Sequence, residues 1–414
     1  MTDYRTDLET RFLRYVQIDT TSDDNTGTVP STDKQYDLLN LLVDELTELG
    51  AQEINLTDYA TVFATIPATI DRPNLPVVGL LAHVDTSPAV SGTGVKPTVH
   101  RNYDGQPIIL PAADLILNEQ SAPELKQKIG QDIVTTDGTT LLGADDKAGV
   151  AIVMTLAKQL LADTTIPHGE IRLCFTPDEE IGHGVTHLKL EDLNVDVAYT
   201  LDGGNTGEVQ FETFSADKAE VTITGVPAHP GYAKGILVNA VLLAGKFIEA
   251  LPQNHHTPET TAEREGYIHV YEITGGATKV ALKLILRDFD RENLKAHGEQ
   301  VKAICEQIQA LEPRATIECK ITKQYRNMRD WLKKDMTPVN KAIVAAKRAS
   351  LDPQHTIIRG GTDGARLTER GVPTPNLFTG MQNIHSCLEW VSLHDMEKSV
   401  QMCLQLVQLW AEEE

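Results

Sequence analysis

The sequence predicts an α/β protein whose chain is interrupted by a second, ferredoxin-like domain. Apolar segments of strand-like composition alternate with segments of helical periodicity, which is typical of an α/β fold. The chain has 414 residues, more than the roughly 250–300 at which a single hydrophobic core stops growing. From 214 to 326 the predicted order is β-α-β-β-α-β, a unit that can bury its own sheet face. We therefore expect a discontinuous main domain, 1–213 and 327–414, and an inserted domain, 214–326.

Composition and charge argue against several classes of protein. Hydrophobic residues make up 41% and charged residues 23% of the chain, as in ordinary globular proteins. The formal net charge of -22 argues against nucleic acid or an anionic membrane as a partner, because both attract basic proteins. The sequence shows neither a signal-peptide pattern nor an apolar run approaching ~18 residues, so we expect a cytoplasmic protein. The five cysteines lack CxxC spacing, and we expect reduced thiols.

Hydrophobic periodicity predicts the elements in chain order. In the main domain we expect helices over 6–17 and 33–49, and strands over 61–66, 76–81, 139–142, 169–175 and 195–201. In the inserted domain we expect strands over 218–224, 267–273, 278–288 and 315–325, with helices over 236–251 and 292–311. Gly50 is expected to end the second helix as its C-cap.

The first candidate site residues, His83 and Asp85, follow the predicted strand 76–81. Side chains two positions apart on an extended chain point to the same face. His83 could therefore bind a metal ion while Asp85 receives its other ring N–H, an arrangement that orients a histidine ligand. The alternative is a histidine and an aspartate that merely share a surface loop.

An adjacent pair of carboxylates, Asp145 and Asp146, lies between an apolar segment and a helical pattern that begins at Ala148. With Gly143 as the turn, the pair would lie at a strand-to-helix junction, which is where open α/β sheets place ligands. The alternative reading is that Asp146 is a helix N-cap. The pair alone does not decide between these interpretations.

Further acids follow the next two predicted strands. Asp178, Glu179 and Glu180 come directly after one of them, and Asp202 comes directly after the other. A carboxylate at a buried strand end destabilises the folded protein unless a cation or a proton compensates its negative charge. Together with His83 they predict a metal site, although the acidic run could also be a solvated loop.

Three candidates lie later in the chain. His229 lies in the turn-rich loop after the first strand of the inserted domain, and Arg287 lies near the end of its third strand. His385 follows a loop near the carboxyl end. Taken alone, Arg287 could form a surface ion pair with Asp288 or Asp290, and His385 could be a structural or exposed histidine.

Short motifs recur in a fixed order along the chain: HVDTSP, LLGADDKAG, TPDEEIGHG, LDGG, VPAHPGYAKG, LRDFDREN, GGTDGARLTERG and NIHS. This order resembles that of the two-zinc exopeptidases of the aminoacylase and carboxypeptidase family, and the resemblance covers essentially the whole chain. It implies a mixed-sheet zinc exopeptidase catalytic domain with an inserted α+β lid domain. In relatives the inserted domain often mediates dimers, so a homodimer is expected.

The resemblance implies two zinc ions per subunit. The first ion would be bound by His83, Asp145 and Asp202, and the second by Asp145, Glu180 and His385. Imidazole and carboxylate ligands suit zinc, and one carboxylate can bridge two cations about 3.5–4 Å apart. His183 matches no role in the family and is the alternative histidine for the second ion.

The resemblance also implies catalytic roles. Glu179 resembles the general base, with Asp178 as its local rival, and Asp85 supports the first histidine ligand. His229 resembles a histidine that stabilises the oxyanion. Arg287 resembles an arginine that binds the free carboxylate of the peptide, a task that suits a permanently charged, bidentate group.

The activity implied is that of a zinc aminopeptidase, which hydrolyses the amino-terminal residue from tripeptides through general-base attack of a metal-bridging water. A dipeptidase, a carboxypeptidase or an N-acyl amino acid deacylase of the same fold is the alternative, because a shared fold hosts several specificities. A binding protein without catalysis belongs to a different class, and Glu179 beside the metal ligands argues against it. A cis peptide bond between Asp145 and Asp146 is also implied.

Overall fold

The computed structural model describes residues 4–412, which form two compact units. The first unit contains the chain up to Phe211, Trp331–Thr356 and the residues from Thr362 onward, and the second contains Glu212–Asp330 and Ile357–Gly361. The inserted domain expected over 214–326 falls within the second unit.

The segment Ile357–Gly361, which the sequence assigns to the main domain, belongs to the second unit. Ile357 packs against an apolar cluster that includes Phe214 and Tyr325. The guanidinium of Arg359 lies 5.0 Å from the centre of the Phe214 ring. These contacts explain why the short segment joins that unit.

The described residues contain helices and strands that we number in chain order. The helices are α1 (Arg5–Tyr15), α2 (Gln35–Leu49), α3 (Ala144–Ala162), α4 (Leu190–Leu193), α5 (Ala240–Ala250), α6 (Arg291–Leu311), α7 (Arg329–Leu332), α8 (Thr337–Arg348), α9 (Asp363–Glu369) and α10 (Leu393–Ala411). The strands are β1 (Gln52–Leu56), β2 (Val62–Ile66), β3 (Val78–His83), β4 (Thr98–His100), β5 (Ile108–Leu110), β6 (Leu115–Leu117), β7 (Ile133–Thr135), β8 (Ile171–Thr176), β9 (Val197–Gly203), β10 (Glu208–Thr213), β11 (Ser215–Thr224), β12 (Tyr267–Gly275), β13 (Lys279–Asp288), β14 (Thr316–Tyr325), β15 (Gln354–Ile358), β16 (Asn376–Phe378), β17 (Met381–Gln382) and β18 (Trp390–Ser392).

The central sheet of the first unit is mixed, as the family resemblance implied. Its strand order is β1-β2-β8-β3-β9-β16-β10-β15. β3 pairs in parallel with both β8 and β9, while β2 pairs with β8 in antiparallel fashion. Every residue of β3 and β8 is buried, which is typical of strands covered on both faces. The carboxyl ends of these parallel strands therefore meet at one edge of the sheet.

Helix α3 lies in the interior of the first unit, and every residue from Ala144 to Ala157 is buried. Small residues let it approach the sheet closely. A Cβ atom added to Gly149 would lie only 2.1 Å from the carbonyl oxygen of Leu201 in β9. Glycine is thus required where the backbones of helix and strand come together.

The predicted helices of the amino-terminal region are confirmed as α1 and α2. Helix α2 ends at Gly50, whose φ of 82° is left-handed and whose N–H donates to the carbonyls of Leu46 and Thr47. This is the C-cap that the sequence indicated.

The strand predicted over 139–142 is wrong. The segment is an irregular loop, and the N–H groups of Leu142 and Gly143 donate to the carboxylate of Glu389 instead of to a neighbouring strand. The apolar residues at 141 and 142 are buried, which explains why they resemble a strand. Burial of a short apolar run does not by itself specify a β conformation.

The region between β3 and α3 holds strands that the sequence analysis did not assign. β4 and β7 belong to a second sheet with the order β17-β18-β7-β4, and β5 pairs with β6 in a hairpin. Each of these strands has only two or three residues. Segments of that length are too short for a periodic pattern to develop.

The second unit has the predicted order β-α-β-β-α-β, formed by β11, α5, β12, β13, α6 and β14. Its sheet is antiparallel with the order β12-β13-β11-β14. Buried and partly exposed residues alternate along β13, as expected when one sheet face is covered by helices. A cluster that includes Val221, Leu282 and Val301 forms a core separate from that of the first unit.

No helix within residues 4–412 combines the length and the apolar character needed to cross a membrane. The cysteines are all free thiols, at Cys174, Cys305, Cys319, Cys387 and Cys403.

Candidate metal centre

The first group of candidate ligands forms at the ends of two neighbouring parallel strands. His83 ends β3 and Asp202 lies near the end of β9, and the His83 Nε2 atom is 3.8 Å from Asp202 Oδ1. Asp145 reaches the same place from the start of α3, with its Oδ1 atom 3.1 Å from His83 Nε2. One ligand atom from each of the three residues lies within 4.8 Å of the others.

The second group shares Asp145 with the first. Its Oδ2 atom lies 3.0 Å from His385 Nε2, and Glu180 Oε2 lies 2.8 Å from the same nitrogen. These three residues also present ligand atoms within 4.8 Å of one another. His183, the alternative histidine, is exposed and has its Nδ1 atom 3.4 Å from Thr186 Oγ1. The structure thus brings His385 into the group and leaves His183 outside it.

Asp145 and Asp146 have different environments although they are adjacent. Their peptide bond is cis, as the family resemblance implied, and neither has helical backbone angles. The carboxylate of Asp146 is fully buried and accepts hydrogen bonds from the N–H groups of Gly149, at 3.2 Å, and His83, at 3.1 Å. Asp146 therefore caps the regular part of α3, which agrees with the alternative interpretation for that residue. Asp145 is the one that faces both histidines.

Asp85 is fully buried and connects two parts of the centre. The His83 Nδ1 atom lies 3.1 Å from the backbone carbonyl oxygen of Asp85 and 3.3 Å from its Oδ1 atom. The same carboxylate accepts the backbone N–H of Glu179 at 2.9 Å and that of Glu180 at 3.2 Å. Asp85 can thus orient the imidazole of His83 and hold the loop that carries Glu179 and Glu180.

The loop after β8 is anchored by Asp178, which is 2% exposed. The Asp178 carboxylate accepts hydrogen bonds from the Ser31 N–H at 2.7 Å, the Ser31 hydroxyl at 2.5 Å and the Gln35 amide at 2.6 Å. Asp178 has a positive φ of 55°, which turns the chain before Glu179. Both carboxylate oxygens of Asp178 thus accept hydrogen bonds. Glu179, by contrast, directly precedes Glu180, a member of the second ligand group.

Glu179, Glu180 and Asp202 lie in surroundings that are unfavourable for negative charge. Burial raises the pKa of Glu180 to about 8 and the pKa of Asp202 to about 6. Burial also raises the pKa of Glu179 well above its usual range, and the negative charges of Asp202 and Glu180 add to this increase.

For Asp145, burial acts to raise the pKa, but hydrogen bonds with His385 and His83 outweigh it and hold the pKa below its usual range. For His385, burial acts to lower the pKa, but hydrogen bonds to Asp145 and Glu180 outweigh it and raise the pKa to about 11. The centre therefore favours retention of protons or the binding of a cation.

The donor set fits divalent metal ions. Each group offers one imidazole nitrogen and two carboxylate oxygens, and such ligands suit zinc. The Oε1 atom of Glu180 is buried and has no hydrogen-bond partner among residues 4–412. A buried acceptor without a donor is costly, and a cation would compensate it. The residues present are therefore compatible with metal binding at both groups.

His229 and Arg287 belong to the second unit. His229 is exposed, and its Nδ1 atom accepts the Gly231 N–H at 3.1 Å. Arg287 is partly buried in β13 and donates to Gln324 Oε1 at 3.0 Å and to the carbonyl of Leu286 at 3.0 Å. The structure therefore places Arg287 against neutral acceptors.

The two acids that could have paired with Arg287 have other contacts. Asp290 accepts the backbone N–H groups of Glu292 and Asn293 at the start of α6. Asp288 Oδ1 accepts the Asp290 N–H at 2.8 Å. Both carboxylates thus support the beginning of the helix.

Sequence reasoning missed several residues that hold the centre. Ser31 and Gln35 lie in a loop and at a helix start that carry no motif, and Glu389 lies four residues after His385. Glu389 is fully buried and accepts hydrogen bonds from the Leu142–Asp145 loop. The hydrogen bonds of Ser31, Gln35 and Glu389 bridge distant parts of the chain, so local sequence patterns do not indicate them.

Known proteins match this chain in sequence over most of its length. The sequence model of peptidase family M20/M25/M40 matches residues 136–409. A protein of Clostridium perfringens called Peptidase T is 42% identical over 402 residues, covering 97% of this chain and 98% of that protein.

Two crystal structures share the fold. A tripeptidase from Staphylococcus aureus has a TM-score of 0.77 and 23% identity, and the match covers 99% of each chain. A Bacillus subtilis protein called a dinuclear metal-binding peptidase of the M20 family has a TM-score of 0.67 and 18% identity, again with 99% of each chain covered. These results confirm the family resemblance seen in the sequence motifs, and the chain belongs to peptidase family M20/M25/M40.

Proposed function

We propose that this chain is a metal-dependent aminopeptidase that removes the amino-terminal residue from tripeptides. The observation that carries the proposal is the pair of ligand groups that share Asp145, with Glu179 directly before the ligand Glu180. The names of two similar proteins support the substrate class, since one is called Peptidase T and the other a tripeptidase.

We infer that the centre binds two zinc ions. His83, Asp145 and Asp202 would hold one ion, and Asp145, Glu180 and His385 would hold the other. The donor types suit zinc, and the Bacillus subtilis neighbour called a dinuclear metal-binding peptidase supports a pair of ions. When bound, zinc ions polarise the scissile carbonyl and lower the pKa of water.

Glu179 is the general base in this proposal. Its carboxylate accepts a proton from the attacking water and delivers it to the nitrogen of the leaving amine. Its backbone is fixed by the hydrogen bond to Asp85, which helps to hold the side chain in one place. Asp178 does not share the role, because Ser31 and Gln35 already donate to its carboxylate.

The second unit supplies two residues in the proposed reaction. His229 donates a hydrogen bond to the developing oxyanion, and its exposure leaves the ring available to substrate. Arg287 binds the free carboxylate of the tripeptide through its guanidinium. Its contacts with Gln324 and Leu286 are with neutral groups, so its charge is available to pair with an anion.

The substrate class can be tested with three forms of one tripeptide. The free peptide should be hydrolysed at its first bond, the C-amidated form should be hydrolysed less efficiently, and the N-acetylated form should resist cleavage. Release of the carboxyl-terminal residue would indicate a carboxypeptidase, and removal of the acetyl group would indicate a deacylase. Faster cleavage of dipeptides than of tripeptides would indicate a dipeptidase.

The cytoplasmic location and the homodimer stay predictions from the sequence and the family resemblance. Light scattering after size-exclusion chromatography would test the homodimer directly. A mass equal to the 45.4 kDa of one chain would contradict it.

A further inference from the structure

Glu389 lies outside both ligand groups, yet it contacts the segment that carries the shared ligand. Its side chain is completely buried. Oε2 accepts the backbone N–H groups of Leu142 and Gly143, each at 2.7 Å, and Oε1 accepts the N–H of Asp145 at 3.0 Å. One carboxylate thus accepts hydrogen bonds from three buried N–H groups of an irregular loop.

The same short segment also carries a ligand. Glu389 follows His385 by four residues, and its own N–H donates to the carbonyl of Ser386 at 3.2 Å. The N–H of Leu388 donates to the Ser386 hydroxyl at 2.9 Å. These bonds close a turn, so the positions of His385 and Glu389 depend on each other.

His385, directly before this turn, and Glu389, at its end, contact the same aspartate. His385 Nε2 lies 3.0 Å from the Asp145 carboxylate, while Glu389 holds the Asp145 backbone. The chain is also held two residues after Asp145, where Lys147 Nζ donates to the carbonyl of Ile18 at 2.6 Å. A ligand whose backbone and side chain are both restrained loses less conformational freedom when a cation binds.

We propose that Glu389 is a positioning residue that fixes the backbone of Asp145 relative to His385 and thereby increases the affinity of the centre for divalent cations. The inference rests on the proposed function only in taking both ligand groups as metal sites. It requires no contact between Glu389 and substrate.

The informative substitution is Glu389→Gln. It preserves size but replaces one acceptor oxygen by an amide nitrogen that only donates. Either orientation of the amide leaves at least one loop N–H facing a donor. The backbone of Leu142, Gly143 or Asp145 must then shift, and the Asp145 carboxylate shifts with it.

Glu45→Gln is the matched control. Glu45 is also a buried glutamate of the first unit, with 9% exposure. It accepts hydrogen bonds from Tyr15 at 2.5 Å, from Arg14 at 2.9 Å and from Arg11, none of which is a candidate ligand. The control makes the same chemical change and should reduce stability without disturbing the ligand groups.

The experiment titrates each full-length, metal-free protein with Zn²⁺ against a competing chromophoric chelator, and records thermal unfolding of the same samples. Glu389→Gln should weaken Zn²⁺ binding about 10- to 100-fold, the range seen when partners of metal ligands are removed. Glu45→Gln should bind Zn²⁺ as tightly as the wild type even where its Tm is lower. With excess Zn²⁺, the loss in Glu389→Gln should appear mainly in kcat and little in KM.

Equal Zn²⁺ affinity in Glu389→Gln and the wild type would overturn the proposal, as would equal weakening in both variants. If Glu389→Gln does not fold, Glu389→Asp retains the carboxylate on a shorter side chain, and its affinity should be measurably below that of the wild type. Wild-type affinity in that variant would also refute the inference. A wild type that binds Zn²⁺ without cleaving tripeptides would refute the proposed function alone, and one that binds no divalent cation would refute both.

Discussion

The two units hold their candidate site residues in different ways. In the first unit, His83, Asp145 and His385 are joined by hydrogen bonds, and most of the surrounding acids are buried. In the second unit, His229 is exposed and Arg287 contacts neutral acceptors. Side chains that restrain one another, as in the first unit, are suited to binding ions permanently. Side chains whose contacts are with neutral groups, as in the second unit, are suited to binding a substrate transiently.

The largest expected effect is that of Glu179→Gln in the first unit. The substitution removes a proton acceptor with little change in volume, so kcat for a free tripeptide should fall about 10²- to 10⁴-fold. The bound metal should be retained, because Glu179 is not in either ligand group. Steady-state kinetics and metal analysis of the same preparation check both parts, and near-wild-type turnover in the metal-loaded variant would assign the base elsewhere.

Metal removal should destabilise the first unit and leave the stability of the second unit unchanged. A ligand present at a thousand times its Kd stabilises the folded state by about 4 kcal/mol, so chelation should destabilise the first unit by an amount of this order. Hydrogen exchange should accelerate in β3 and β9 and remain unchanged in β11 and β13. Equal acceleration in all four strands would contradict the assignment of metal binding to the first unit.

Arg287→Ala tests the second unit. Hydrogen bonds to charged groups contribute about 1.5–3 kcal/mol, so kcat/KM for free tripeptides should fall roughly 10- to 100-fold, and much less for C-amidated ones. Arg326→Ala is a suitable control, because that guanidinium is already paired with Asp217 at 2.8 Å. Equal losses on free and amidated peptides would mean that Arg287 serves the structure or the oxyanion.

The smallest effect is expected for Asp178→Asn, and it should concern stability. Asparagine offers one carbonyl oxygen where Asp178 uses two to accept donors from Ser31 and Gln35. A loss of about 1–3 kcal/mol is expected, visible as a lower Tm in calorimetry. An unchanged Tm together with lost turnover would instead support Asp178 as the base.

The sequence was most informative where strands are long. β3, β8 and β9 are apolar runs that end in His83, in the acids after Thr176 and in Asp202, so their strand ends could be predicted. The mixed sheet and the pairing of particular ligands came from the family resemblance, which the comparisons confirm at the level of the family.

The parts that could not be predicted depend on distant contacts. The loop before Asp145 resembles a strand in composition, but its N–H groups bond to Glu389, which is 247 residues from Leu142. In the same way, Gln35 reaches Asp178 across 143 residues. Local patterns report burial and periodicity, and they carry no information about which remote side chain satisfies a given donor.

The close approach at Gly149 limits how this centre can change. Since a methyl group there would meet the Leu201 carbonyl at 2.1 Å, the separation between α3 and β9 is set by the smallest residue available. Asp145 and Asp202 lie on those two elements, so the spacing between them depends on a position that has no side chain. Exchanging ligands alone to change the metal preference would therefore leave the distance between α3 and β9 unchanged. A larger residue at position 149 could not adjust that distance in small steps, because even a methyl group does not fit there.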